Sequence, residues 1–312
     1  MVQWDKMVQK GSGMTYDIFP PNNFLGLEEA NTTYDNSAAL ILPLPYEGTV
    51  SYGQGTRLGP QAIIEASQQV ELYDRELDDE PALTHGIHTL PALAPVVRGP
   101  EHVVDAIAAY AEEHLHSGKL LVGLGGEHTV SVGMARAVKA IYDDFVLVQI
   151  DAHSDFRDSY EGSPYSHASI GRRIFDMGAT IVQFGIRSIC REEMEFIRAE
   201  KERVHVFFAE DVHAGQHVAT LPDLLRGRTV FLTIDLDGFD PAYVPATGTP
   251  EPNGLSWMQG LEIIRVVTQL SRVIAIDCVE LAPIPGQYAS NFFAAKLVYK
   301  AIGLTLAKRN ET

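Results

Sequence analysis

Short apolar runs recur along this chain, and within each run the apolar residues follow one another instead of alternating with polar ones. The runs are AALILPL (38–44), KLLVGLG (119–125), FVLVQID (145–151), TIVQFGI (180–186), VHVFFA (204–209), TVFLTID (229–235) and RVIAIDCVEL (272–281). A strand with one wet face alternates. A continuous run needs cover on both faces, as in a parallel sheet between two helical layers. Amphipathic stretches of helical period lie between the runs, at 59–73, 101–115, 130–142, 194–201, 256–271 and 291–308. Strand–helix alternation at this spacing predicts βαβ units, hence a three-layer α/β/α fold with a central, mainly parallel sheet. No composition break divides residues 38–312, which read as a single domain. Residues 1–37 are polar, with Gly11-Ser12-Gly13 and Pro20-Pro21, and read as an N-terminal arm or extension.

In such folds ligands bind beyond the carboxyl ends of the strands. The polar residues there can be read directly. FVLVQI runs into Asp151-Ala152-His153-Ser154-Asp155, TVFLTI into Asp235-Leu236-Asp237, KLLVGL into Gly125-Gly126-Glu127-His128, and RVIAIDCV into Glu280. On an extended strand end, ligands at every second position face one side. A lone Asp-x-Asp is commonly a helix cap or a solvated loop. Here Asp-x-His-x-Asp, Asp-x-Asp and a histidine each end an apolar strand, and so many crowded carboxylates would repel strongly without a cation. Four carboxylates and two imidazoles form a hard, oxygen-rich set that suits Mn²⁺ better than a thiolate-seeking zinc site. One ion could not easily use six side chains, so two are expected. Between them a bound water would fall in pKa from about 15.7 towards about 7 and serve as the nucleophile. Gly123-x-Gly125 mimics part of a dinucleotide-binding fingerprint, but His128 stands where the third glycine would be.

Composition narrows the partners. A net charge of -17 leaves no basic stripe for nucleic acid and favours a cationic small molecule. No apolar run reaches the roughly 18 residues of a membrane span. The start carries no basic region followed by an apolar one, so no secretory signal is expected. Cys190 and Cys278 give neither a disulfide framework nor zinc spacing, which fits a cytoplasmic protein.

Together these residues resemble the ureohydrolases, the arginase and agmatinase family, with the agmatinases the nearest branch. Gly125-Gly126-Glu127-His128, Asp151-Ala152-His153-Ser154-Asp155 and Asp235-Leu236-Asp237-Gly238-Phe239-Asp240-Pro241 carry the resemblance. So do Pro245-Ala246-Thr247-Gly248-Thr249-Pro250, Asp277-Cys278-Val279-Glu280 and Gly53-Gln54-Gly55-Thr56-Arg57-x-Gly59-Pro60. The resemblance implies an arginase-like fold with a binuclear manganese site and hydrolysis of a guanidino compound to urea and an amine. His128 and Asp155 would hold one ion, His153 and Asp237 the other, and Asp151 and Asp235 would bridge both. The bridging hydroxide would attack the guanidinium carbon. Asp155 would orient it and then help to protonate the leaving amine. Glu280 would hold the guanidinium, and His167 would shuttle protons. The segment FRDSYEGSPYSH (156–167), like Glu251, is similar to its counterpart in agmatinases. Its acids suit a dicationic substrate, so agmatine, cleaved to putrescine and urea, is the expected one, with Asp158, Tyr160, Glu161 and Thr249 as further contacts. Ala246 and Asn253 depart from the agmatinase pattern, and Asn253 can keep the turn because asparagine tolerates positive φ. Other guanidino acids, arginine or free guanidine are the same-fold alternatives, the last with nickel in place of manganese. A metal-binding protein without turnover is the alternative of another class. The resemblance also implies a homo-oligomer, a trimer or hexamer. His114 and His116, on a helix, read as solvated.

Overall fold

The computed structural model describes residues 21–28 and 32–309. Its strands are β1 (Ala39–Leu44), β2 (Ile87–Thr89), β3 (Leu120–Gly125), β4 (Val146–Ile150), β5 (Thr180–Ile186), β6 (Val204–Phe208), β7 (Thr229–Asp235) and β8 (Arg272–Val279). The helices are α1 (Gly59–Ser67), α2 (Pro81–His85), α3 (Pro100–Leu115), α4 (Val130–Ile141), α5 (Ile170–Asp176), α6 (Arg191–Ala199), α7 (Ala209–His213), α8 (Leu221–Leu225), α9 (Trp257–Leu270) and α10 (Ala289–Arg309). The strands form one sheet in the order β2-β1-β3-β8-β7-β4-β5-β6, and every pairing is parallel. This is the arginase-like α/β/α architecture expected from the unbroken apolar runs.

Successive residues of each central strand enter different cores. Ile41, Val122, Val148 and Leu232 pack with Ile63, Ile264 and Leu297 of α1, α9 and α10. Leu40, Leu121, Leu147 and Phe231 pack with Val103, Ile107, Val132 and Met134 of α3 and α4. No helix among the described residues is long and apolar enough to cross a membrane.

Two expectations need correction. The helical pattern at 59–73 breaks at Ser67, where turns through Gln69 and Val70 take over. Within the leader, Phe24, Leu25 and Leu27 are buried in the first core. There the Leu25 amide donates to Ser67 Oγ at 2.7 Å and the Phe24 amide to Thr89 Oγ1 at 3.0 Å. Residues 1–20 and 29–31 of that expected arm lie outside the described residues. Finally, His114 is buried, with Nδ1 3.2 Å from the Tyr34 hydroxyl, whereas His116 is exposed.

Candidate metal centre

The four ligand-bearing segments meet at the carboxyl ends of β3, β8, β7 and β4, which are neighbours in mid-sheet. Asp235 is the last residue of β7, and Asp237 lies in the 3₁₀ turn that follows. The Asp151–Asp155 segment does not continue β4, which ends at Ile150. Strand alternation therefore does not aim these side chains; loop bonds do. Asp151 Oδ1 accepts the His153 amide at 2.6 Å, Gln149 Nε2 donates to Asp151 Oδ2 at 2.7 Å, and Asp155 takes a φ of 54°. Glu280 also has positive φ, 65°. Left-handed backbone at two charged non-glycine residues is strain held at a site. Gly126 is required sterically: a Cβ there would lie 1.9 Å from the Tyr46 carbonyl oxygen.

The donor atoms form two groups that share Asp151. One comprises His128, Asp151 and Asp155, the other Asp151, His153 and Asp237, with the ligand atoms of each within 4.8 Å of one another. His128 Nδ1 lies 3.1 Å from Asp151 Oδ2, 3.3 Å from Asp155 Oδ2 and 3.1 Å from Asp235 Oδ2. Despite these neighbours, it has no hydrogen-bond partner and is shut off from solvent. A buried nitrogen ringed by carboxylate oxygens, none placed to receive its hydrogen bond, has the chemistry of a metal ligand. Its other nitrogen, Nε2, is 3.0 Å from Thr233 Oγ1, which accepts the ring proton in the tautomer that leaves Nδ1 free. His153 Nδ1 lies 3.1 Å from Asp237 Oδ2 and 3.7 Å from Asp151 Oδ1. Asp237 is fixed from both sides, Oδ1 accepting the Ala152 amide at 3.1 Å and Oδ2 the Thr249 hydroxyl at 3.1 Å.

The electrostatics follow from burying this much charge. Burial opposes a charged His153, but Asp237 and Asp151 outweigh it and push its pKa up to about 12. His128 is likewise raised, its burial overcome by Asp151, Asp155 and Asp235. Burial and then Asp151 raise Asp155 to about 7. Burial, with Asp237 and Asp151 beside it, raises Asp235. Burial and Glu127 raise Glu280. Asp151 goes the other way: burial opposes its charge, but His128 and His153 outweigh it and hold its carboxyl below the usual range.

A cavity of about 270 Å³ opens onto the cluster. Glu280, Thr249, Tyr160 and His167 line it. Glu280 Oε1 accepts the His128 amide at 2.6 Å, which ties the acid to the cluster. Burial lowers the pKa of His167, whose Nδ1 sits 3.3 Å from Thr49 Oγ1 and whose Nε2 sits 3.4 Å from Ser51 Oγ. The fully buried Glu127 holds that loop, accepting the Gly48 and Thr49 amides at 2.6 and 2.7 Å and the Thr49 hydroxyl at 2.7 Å. Asp158 and Glu161 are not among the lining residues. Asp158 pairs instead with Arg173 at 2.6 Å, and Glu161 is exposed in a turn with φ of 50°. The cation Arg157 lines the cavity, 5.0 Å from the Tyr160 ring centroid. Arg157, Glu127, Thr49 and Thr233 were not expected. Thr233 was within reach of the two-residue period that marked Asp235 and Asp237.

The arginase family model matches residues 37–303. This chain belongs to the arginase family. It is 41% identical to the N(1)-aminopropylagmatine ureohydrolase of Synechocystis sp., across 91% of this chain and 94% of that one. It is 35% identical to the agmatinase of Halalkalibacterium halodurans, covering 81% and 87%. Its structure matches the agmatine ureohydrolase of Thermoplasma volcanium with a TM-score of 0.83 at 30% identity, covering 94% and 97%. Within this metal-dependent family the chain is an agmatinase-like ureohydrolase, a hydrolase of linear amidine C–N bonds.

Proposed function

We propose that this chain hydrolyses the guanidino group of an agmatine-type amine, releasing urea and the free amine, with two Mn²⁺ ions as resident cofactors. The observation that carries the reading is the pair of ligand groups sharing Asp151, with Glu280 and His167 on the wall of the same cavity. His128 and Asp155 would hold one ion and His153 and Asp237 the other, with Asp151 and Asp235 common to both. When bound, the ions supply Lewis acidity and lower the pKa of a coordinated water. Glu280 accepts the guanidinium N–H donors through its carboxylate, the natural partner of a planar multi-donor cation. His167, kept neutral by burial, can take a proton on a ring nitrogen and release it towards solvent. Asp155, beside the reacting centre, can take up the proton released by the attacking water and hand it to the leaving amine. Thr249 keeps Asp237 in register. A trimer or hexamer and a cytoplasmic location belong to the same proposal and rest on family likeness and composition.

Agmatine is the substrate expected from the sequence. The 41% likeness to an aminopropylagmatine enzyme supports a second reading, in which the far amine carries an aminopropyl group. Both present the same guanidino end. Urea release from agmatine, N(1)-aminopropylagmatine, arginine, guanidinobutyrate and guanidine by the Mn²⁺-loaded chain separates them. Arg157 makes guanidinobutyrate the informative control, because a cation at the wall favours a carboxylate tail. The two agmatine-type amines should lead. No urea from any of the five, at full metal occupancy, overturns the enzymatic reading. Asp235→Ala should lose activity and at least one ion together. Two ions retained per chain would exclude a bridging role for Asp235.

A further inference from the structure

Arg187 directly follows β5, and no part of the proposed chemistry uses it. Its side chain is half-buried, and burial lowers its pKa, with Asp237 and Asp151 the leading opposing charges. Every acceptor recorded for its guanidinium is a backbone carbonyl. Nη2 donates to Asp237 O at 2.6 Å, Glu251 O at 2.8 Å and Phe239 O at 3.4 Å. Nη1 donates to Gly185 O at 3.0 Å and Gly238 O at 3.2 Å, and Nε to Pro252 O at 3.0 Å. Its own amide donates to Ala152 O at 2.9 Å, inside the Asp151–Asp155 segment. A planar fork with five donors can grip this many carbonyls at once; a lysine ammonium cannot.

A second observation points the same way. Gly254 leaves the space in which this fork lies: a Cβ there would come within 2.7 Å of Arg187 Nη2. The gripped turn carries Asp237, and the gripped loop carries Glu251, whose carboxylate lies 3.9 Å from His153 Nε2. The Arg187 side chain bonds neither His128 nor the Asp151–Asp155 segment; only its main-chain amide reaches that segment, and that bond does not depend on the guanidinium. The clamp therefore acts on one half of the centre.

We infer that Arg187 is a positioning residue for the His153–Asp237 half of the metal centre and sets the affinity of that ion separately from its neighbour. The inference rests on the two-ion reading above. Arg187 does not line the cavity; it holds the backbone from which one ligand is presented.

The test is a Mn²⁺ titration of the full chain, followed by calorimetry and by the electron paramagnetic resonance of the coupled ion pair, for wild type, Arg187→Lys and Arg187→Gln. In both variants one ion should bind as in wild type. The other should bind about 10- to 100-fold more weakly, the usual cost of losing an outer partner of a ligand. The coupled-pair signal should return only at high Mn²⁺. Asp237→Asn should weaken the same ion. Equal weakening of both ions, or no change in either, overturns the inference. So does failure of both variants to reach the native near-ultraviolet circular dichroism, since that would place the work of Arg187 in the fold itself. A wild-type chain that binds one ion overturns the two-ion reading, and this inference with it.

Discussion

Protons and cations compete for the same atoms at His153 and Asp155. Asp155, pushed up to about 7, lies above the ordinary carboxyl value of about 3.9. Without an ion, the folded state therefore binds more protons than the unfolded chain between those two values. That contribution is fully present at low pH and is lost as pH rises through about 7. His153, pushed up to about 12, keeps its proton across the whole neutral range unless a cation displaces it. Each ion must expel protons to enter, so affinity rises with pH. The gain in melting temperature on adding Mn²⁺ should be larger at pH 8 than at pH 6, and a gain that is equal or smaller at pH 8 counts against this assignment. At this scale the candidate ligands were legible because few residue types can bind hard cations, and all of them follow apolar strands. That Asp158 and Glu161 do not line the cavity was not legible, because charge in a loop says nothing about which way it turns. Asp158 faces Arg173, fifteen residues away along the chain and invisible to local spacing. Arg187 could have been found by the rule that found Asp151, since it directly follows TIVQFGI, but a lone arginine at a strand end carries no distinctive spacing.

At the scale of elements, the long strands and helices were legible because their apolar periods are sustained. Strand β2 is only Ile87-His88-Thr89 at the sheet edge, too short to show a period. Helices α2, α7 and α8 span five residues each and α5 seven, lengths at which packing decides more than pattern. What positions the site lies between the elements. Gly126 N donates to Leu44 O at 2.9 Å, its own carbonyl accepts the Glu280 amide at 2.8 Å, and Glu127 N donates to Tyr46 O at 2.9 Å. One short turn thus joins the ends of β1, β3 and β8. Gly126→Ala has no room for its methyl group and should destabilise the fold by about 3 kcal/mol while weakening the His128 ion. Urea unfolding with parallel metal counting checks both effects. Unchanged stability would mean the turn relaxes at little cost.

Across the whole molecule, a buried ionic knot fastens the last helix to the segment after α1. Lys300 on α10 is 6% exposed and reaches Asp74 Oδ1 at 2.7 Å and Glu76 Oε2 at 2.7 Å. Arg265 on α9 joins through Glu76 at 2.6 Å. Lys300→Met leaves Asp74, itself 6% exposed, without its cation. The loss should be about 3–5 kcal/mol, the usual cost of stranding one partner of a buried pair. Equilibrium unfolding in urea measures it, and a loss under about 1 kcal/mol would show that water reaches the acid. This knot was not legible, because its members lie far apart in sequence and each alone reads as a solvated charge.

The strand order has a consequence in time. His128 leaves β3 and Asp235 ends β7, yet these strands never touch, because β8 lies between them. The 3.1 Å approach of Nδ1 to Oδ2 exists only once residues 272–279 have slotted into the middle of the sheet. A chain emerging from the ribosome carries all six candidate ligands well before it carries the strand that gathers them. The gathered site is therefore complete only after that late insertion, and a truncated chain that lacks β8 should not bind Mn²⁺ as the full chain does, which metal counting on the two checks.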